Sequence, residues 1–309
     1  VTAASVSAPR KGRWRPSEQT RWAFIFLLPW IIGFVVFTAG PMIATAYLSF
    51  TNYNVIRPPT FIGLDNYEQM LTDRRIPLAL TNTAFYALFH VPGVILISLA
   101  LAMILTRVGK LAGLFRTIFY LPSVTPAVAI GTLFLLLLAG NGLVNNTLGF
   151  LGINGPQWLT DPDWVKPGIV IMSLWTLGST VVIYFAALRN VPLELYEAAK
   201  IDGANAWQAF RNITLPFISG AIFFTVIVNT IAALQIFAEV FTMFFGARSG
   251  PAQGSALFYT IYLFQKAFQD LKFGYASAMA WLLFLIILII TLIQVRLSSR
   301  FVFYAGEGR

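Results

Sequence analysis

Few residues in this chain carry reactive chemistry, and those that do are set in apolar runs. Ser173, Thr176 and Thr180 recur at three- and four-residue spacing with Trp175 beside them, so a continuous helix would place the three hydroxyls on one face. Asn229, Gln235 and Glu239 follow in a later apolar stretch, and Ser123 stands between Pro122 and Pro126. Hydroxyls and amides offer neutral hydrogen bonds, and tryptophan adds a flat apolar face. Such a set binds and orients a solute; it does not break covalent bonds. The same hydroxyls also hold membrane helices together, and the residues alone leave both roles open. His90, the single histidine, reads as a hydrogen-bonded packing residue rather than a proton relay, because no carboxylate or lysine shares its apolar run.

The classes of chemistry that need other residues fall away. There is no cysteine and one histidine, so neither a disulfide framework nor a thiolate or histidine metal site is expected. No G-x-x-x-x-G-K-S/T loop occurs, and Gly109-Lys110 lacks both the glycine loop and the following hydroxyl. No H-E-x-x-H or G-x-S-x-G motif occurs either. No catalytic residue is assigned.

These polar residues need elements that can carry them through lipid. The chain of 309 residues is 58% hydrophobic and 11% charged, with a mean hydropathy of +0.75. A soluble chain needs about twice that charge to cover its surface. Six runs are long enough to cross a bilayer, at residues 22–47, 81–105, 117–139, 167–188, 217–245 and 275–295. The first is too long for a signal-peptide core and lacks a small-residue cleavage site, so it reads as a retained span. Residues 1–21 form a basic leading segment and 297–309 a short tail.

Charge sets the orientation. Of the 21 Lys and Arg, Arg10, Lys11, Arg13, Arg15, Arg21, Arg107, Lys110, Arg116, Arg189, Lys200, Arg211, Arg296, Arg300 and Arg309 share one side; Arg57, Arg74, Arg75, Lys166, Arg248, Lys266 and Lys272 share the other. The two-to-one bias places both termini in the cytoplasm, and it accounts for the net charge of +9 without nucleic acid. The expected fold is an all-α integral membrane protein with six spans. A shorter apolar stretch near Leu257–Phe268 reads as a re-entrant or surface-lying helix. On a straight fifth span entering at Pro216, Asn229 would lie about 20 Å in, Gln235 about 28 Å and Glu239 about 34 Å. Glu239 would then be wetted at the outer edge, where a carboxylate costs less than the ~3 kcal/mol it costs at the bilayer centre.

One polar stretch interrupts this pattern, the loop at residues 189–216. After Arg189-Asn190-Val191-Pro192, residues 193–199 read as a short helix with Glu194 and Glu197 in its early turns, where acids suit the helix dipole. Gly203 fits a C-terminal cap, Asn205 can start a second helix over 206–212, and Pro216 suits the first turn of the next span. The product is a helical hairpin presenting Tyr196, Glu197, Ala198 and Ala199, with Asp202, Gly203 and Ala204 at its turn. Small alanines on a rigid exposed hairpin suit close docking of another surface.

Glu197-Ala198-Ala199, then Gly203, then Ile213 and Leu215-Pro216 resemble, without insertion, the EAA-loop signature of permease subunits of bacterial ATP-binding-cassette (ABC) importers. The stretches Phe61–Tyr67, Phe115–Pro122 and Gly274–Trp281 resemble the carbohydrate-type branch of that family, of the maltose and glycerol-3-phosphate transport kind. The resemblance runs from Trp22 onward. It implies a type I importer core in the bacterial inner membrane, with the loop as a coupling helix that docks on a separate ATPase dimer. It also implies a second, homologous permease and an external solute-binding protein. ATP and magnesium would be bound by the ATPase, and this chain would bind no cofactor. Carried over from maltose-type relatives, the permeation site would include Ser123, Ser173, Gln235, Ile236 and Phe237. The chain departs from the maltose pattern on the fifth span and at Ala127, so the solute implied is a sugar, polyol or glycerophosphate-type molecule rather than maltose itself. The absence of Lys and Arg within the spans argues against a strongly anionic central site. The alternative from the residues alone is an ion- or proton-coupled secondary transporter, which would need an ionisable coupling site and inverted repeats; only His90 and Glu239 are available to it. A scaffold subunit with no transport path is the third reading.

Overall fold

The computed structural model describes residues 18–244 and 254–298. Most of the basic leading segment, Arg248 and the tail from residue 299 lie outside them. The first crossing joins α1 (Glu18–Phe34) to α2 (Gly40–Leu48) through a π-helical turn at Val35–Ala39. Pro41 follows that turn. A proline donates no hydrogen bond and its ring crowds the carbonyl four residues back, and the widened turn makes room for both defects. The apolar face of this rod is not covered by the rest of the described chain.

A two-residue antiparallel ribbon, β1 (Thr51–Asn52) against β2 (Thr60–Phe61), leads to α3 (Asp65–Thr72) and then to the long α4 (Arg75–Arg107). Next come α5 (Ala112–Tyr120), a tight turn at Leu121–Val124, α6 (Ala127–Leu137) and α7 (Leu143–Phe150). The following pair is α8 (Pro162–Leu174) and α9 (Gly178–Arg189). The hairpin contributes α10 (Leu193–Ile201) and α11 (Ala206–Ala209), after which a π-helical turn at Phe210–Thr214 runs into α12 (Leu215–Leu234). The chain then forms α13 (Ala238–Phe244), α14 (Tyr259–Phe264) with a π-helical extension over Gln265–Gln269, and α15 (Phe273–Ser298).

Four of these helical rods are long and apolar enough to cross a membrane. Two further crossings form if each bent pair is one span: α5 with its tight turn and α6, bent by 97°, and α8 with α9, bent by 49°. The chain is therefore a multi-pass α-helical membrane protein. The rods overrun the apolar runs read from sequence. Arg75 and Arg107 cap a helix whose apolar run is 81–105, and the fifth rod starts at Ala206 rather than Phe217. A helix need not stop where lipid stops.

α4 is the axis of the bundle, packing on α8, α9, α12 and α14. Two buried clusters stack along it. One, around Tyr86, Ile130, Met172, Tyr259, Tyr262 and Met279, lies toward the ribbon end. The other, around Leu99, Ala102, Tyr184, Phe185 and Ile218, lies toward the hairpin end. Where α9 crosses the end of α5, a Cβ on Gly178 would sit 2.1 Å from the Phe119 carbonyl oxygen. Only glycine permits that approach.

The ribbon end is stitched by polar groups. Asn66 Nδ2 donates to the Ser49 and Thr51 carbonyls at 2.8 and 2.9 Å. Asp73 accepts from the hydroxyls of Tyr262 at 2.5 Å and Tyr275 at 2.8 Å, and from the Arg75 backbone N–H at 2.9 Å. Burial alone would raise the Asp73 carboxyl, but these three donors outweigh it and hold it below its ordinary value of 3.8. A carboxyl depressed on folding contributes stability that is present above the unfolded value and is lost as pH falls through the lower folded value. In detergent, the melting temperature of the wild type should therefore fall as pH drops from about 5 to 3, and Asp73→Asn should show a lower melting temperature at pH 7 with a flatter acid slope. Equal slopes for the two proteins would remove Asp73 from the latch.

Candidate functional site

Helices break where their backbone groups find other partners, and at membrane depth that means inside protein or beside a wet cavity. α12 ends at Leu234, Gln235 takes φ −111° and ψ 13°, and α13 begins at Ala238. The freed carbonyl of Ile236 accepts a short hydrogen bond from Thr260 Oγ1 of α14. A second break separates α8 from α9 at Trp175–Leu177, where the Thr176 hydroxyl donates to the Ser173 carbonyl at 2.9 Å. Between these two breaks lies a cavity of about 450 Å³, with α4 and α6 completing its wall. That volume suits a small organic ligand.

Six residues singled out in the sequence line this cavity: Ser173, Thr176, Asn229, Gln235, Ile236 and Phe237. Ser173 Oγ donates to the Val170 carbonyl at 2.8 Å and lies 2.7 Å from His90 Nδ1. With its one proton committed to that carbonyl, Ser173 accepts from His90 Nδ1–H. The Tyr86 ring stacks on the imidazole at a centroid distance of 4.9 Å. Asn229 Nδ2 donates to the Thr225 carbonyl at 2.8 Å, leaving its Oδ1 available. Gln235 is exposed to the cavity.

Three expected residues stand elsewhere. Ser123 donates to the Tyr120 carbonyl at 2.6 Å within its own tight turn, away from the cavity wall. Trp175 packs edge-on against Phe134 at 5.6 Å. Thr180 is buried in α9 beyond the bend. The single hydroxyl face expected for Ser173, Thr176 and Thr180 is not formed, because the 49° bend at residues 175–177 takes Thr180 out of register.

Conversely, Tyr86, His90 and Glu239 line the cavity although the sequence reading gave them no part in it. His90 does make the packing hydrogen bond expected of it, and it borders the cavity as well. The fifth rod is interrupted at residues 235–237, and Glu239, four residues after Gln235, shares the cavity wall with it. A break cannot be read from residues 234–238, which contain neither glycine nor proline.

At the hairpin, α10 runs from Leu193 to Ile201 with Asp202 at its end and Gly203 at φ +78°, the left-handed turn that glycine adopts without strain. Asn205 and Gln208 form a reciprocal capping box at 2.8 and 2.9 Å. Glu197 and Ala198 are exposed, Ala199 and Ala204 half-buried. The second helix does not end at residue 212 as expected. It passes through the π-helical turn into α12, so one 39-residue rod reaches from Ala206 to Phe244. Tyr196 Oη lies 2.8 Å from Thr214 Oγ1, tying α10 to the base of that rod.

The model of the family "Binding-protein-dependent transport system inner membrane component" matches residues 94–303. The probable ABC transporter permease protein YesP of Bacillus subtilis is 39% identical over 92% of this chain and 92% of its own length. The lactose transport system permease protein LacF of Rhizobium radiobacter is 35% identical, covering 93% and 94%. Among solved structures, a bacterial ABC transporter involved in import of the acidic polysaccharide alginate superposes with a TM-score of 0.79 at 26% identity, over 93% of this chain and 98% of that one. A second structure of an alginate transporter, in complex with a periplasmic protein bound to an alginate pentasaccharide, matches equally well at 25% identity.

Removing a cavity hydrogen-bonding group costs about 1 kcal/mol, or roughly fivefold. Gln235→Ala should shift the half-saturating solute concentration for uptake by about that factor with complex assembly intact, whereas Thr180→Val, outside the cavity, should leave it within about twofold. Equal effects of the two variants would move the binding surface elsewhere.

Proposed function

This chain belongs to the family of binding-protein-dependent transport system inner membrane components, and from that premise we propose that it is one of two permease subunits of an ATP-driven importer for a sugar or sugar-like solute. The sugar class is supported by relatives named for lactose and alginate transport and by the amides and hydroxyls on the cavity wall. Each bent pair counts as one span in this reading, giving six crossings with both termini and the hairpin in the cytoplasm. The ribbon end faces outward, toward a solute-binding protein; that partner is supported by the alginate transporter solved in complex with a periplasmic protein. ATP hydrolysis belongs to separate subunits. The ion-coupled alternative has no support from the family.

One observation carries the mechanism: hairpin and cavity share a rod. The hairpin offers the exposed Leu193 and Ile201 of α10 and Trp207 of α11 beside Glu197 and Ala198, a surface with more apolar area than a solvated loop needs. An ATPase that grips it pulls on α11 and α12 through the Tyr196–Thr214 contact. The pull is delivered at Gln235, where the rod is broken and lines the cavity. Closure of two ATPases around ATP thus becomes movement of a cavity wall. This chain supplies no reacting group to that cycle; it binds, orients and re-exposes solute.

In the assembled complex, Gly203→Val should force a left-handed residue that costs about 1–2 kcal/mol. Glu197→Trp should obstruct docking. Both should lower solute uptake at least tenfold per ATP hydrolysed, with the melting temperature of the solubilised chain nearly unchanged. Normal uptake in both variants would sink the docking assignment. Purified alone, this chain should show no ATP hydrolysis, and robust activity from it would contradict the need for a partner.

A further inference from the structure

Among the described residues, Glu239 is the one carboxyl on the cavity wall. It is half-buried, and no hydrogen bond or ion pair to it is found among the described residues. Among the described residues the wall contains no Lys or Arg. Beside Glu239 stand Asn229 Oδ1, Gln235 and His90, whose Nδ1 is engaged by Ser173. Glu239 is also held closely in place, since α13 packs so near α6 that a Cβ on Gly131 would lie 2.8 Å from the Glu239 carbonyl oxygen.

We propose that Glu239 is a specificity-determining residue that makes this cavity select neutral, hydroxyl-rich saccharides and reject those bearing carboxylates. The inference rests on the saccharide reading above. A carboxylate only accepts hydrogen bonds, and its two oxygens can take a pair of adjacent sugar hydroxyls in charge-assisted bonds, stronger than those to a neutral amide. A uronate sugar brings a second negative charge into the same low-dielectric space, where no Lys or Arg among the described residues lines the wall and repulsion is little screened. Discrimination comes from that repulsive element as much as from attraction. The alginate transporter, a structural relative, handles an acidic polysaccharide; the charge on this cavity points the other way.

The test uses the full importer complex in nanodiscs without its binding protein, so that the cavity alone is read. Lactose, arabinotriose and maltotriose serve as neutral probes and trigalacturonate as the anionic one, with binding followed by calorimetry. Wild type should take up at least one neutral probe and exclude trigalacturonate. Glu239→Gln should raise the ratio of uronate to neutral binding by about tenfold, and Glu239→Asp, which keeps the charge, should retain the exclusion. An unchanged ratio in Glu239→Gln, or loss of exclusion in Glu239→Asp, would overturn the role of Glu239 while leaving the saccharide reading standing. Binding of trigalacturonate but of no neutral probe by the wild type would overturn it as well. Failure of the wild type to bind any of the four would instead overturn the saccharide reading, and this inference with it.

Discussion

A backbone N–H or carbonyl without a partner cannot face hydrocarbon without a cost of several kcal/mol, and that constraint decides where this chain can interrupt its helices. Three rods are interrupted: after α5, between α8 and α9, and between α12 and α13. Each interruption is satisfied from within the protein. The first uses the Ser123 and Thr125 hydroxyls on the Tyr120 and Leu121 carbonyls, the second the Thr176 hydroxyl, and the third borrows Thr260 from α14. The second and third flank one cavity. The short helix α14, packed against α4 and α15, supplies the donor that satisfies the third break.

Much of this was legible beforehand. The spans follow from long apolar runs, and the hairpin from Pro192, Gly203 and Asn205, residues whose backbone preferences are strong and local. Asn66, Tyr67 and Gly274, read as parts of two separate family stretches, meet at the ribbon: Tyr67 Oη donates to Ser49 Oγ at 2.8 Å, and Gly274 N donates to the Tyr53 carbonyl at 3.1 Å. Less legible were the breaks at 175–177 and 235–237. Neither contains proline or glycine, so nothing within them announces them. Both are imposed by tertiary packing. Thr180 stands on a face that the first break bends away, whereas Ser123 is drawn into the proline-bounded tight turn after α5.

The π-helical turn at Phe210–Thr214 deserves the same physical reading. It comes two residues before Pro216, as the turn at Val35–Ala39 comes before Pro41. The prolines do not end these rods; they widen them. In the fifth rod the result is a helix that begins at the hairpin and reaches the cavity without a joint that could absorb motion before Gln235. Tyr196 fastens α10 to it at that widened turn. A rigid rod with one soft point transmits a push to that point.

That claim is open to direct measurement, because the chain has no cysteine to interfere. A single Gln235→Cys in the assembled, nanodisc-embedded importer can be labelled by a membrane-impermeant maleimide with and without a non-hydrolysable ATP analogue. If the rod couples hairpin to cavity, the labelling rate should change at least about tenfold on adding the nucleotide, and a second substitution, Gly203→Val, should abolish the change. A labelling rate that ignores nucleotide, or a nucleotide effect that survives Gly203→Val, would contradict the account.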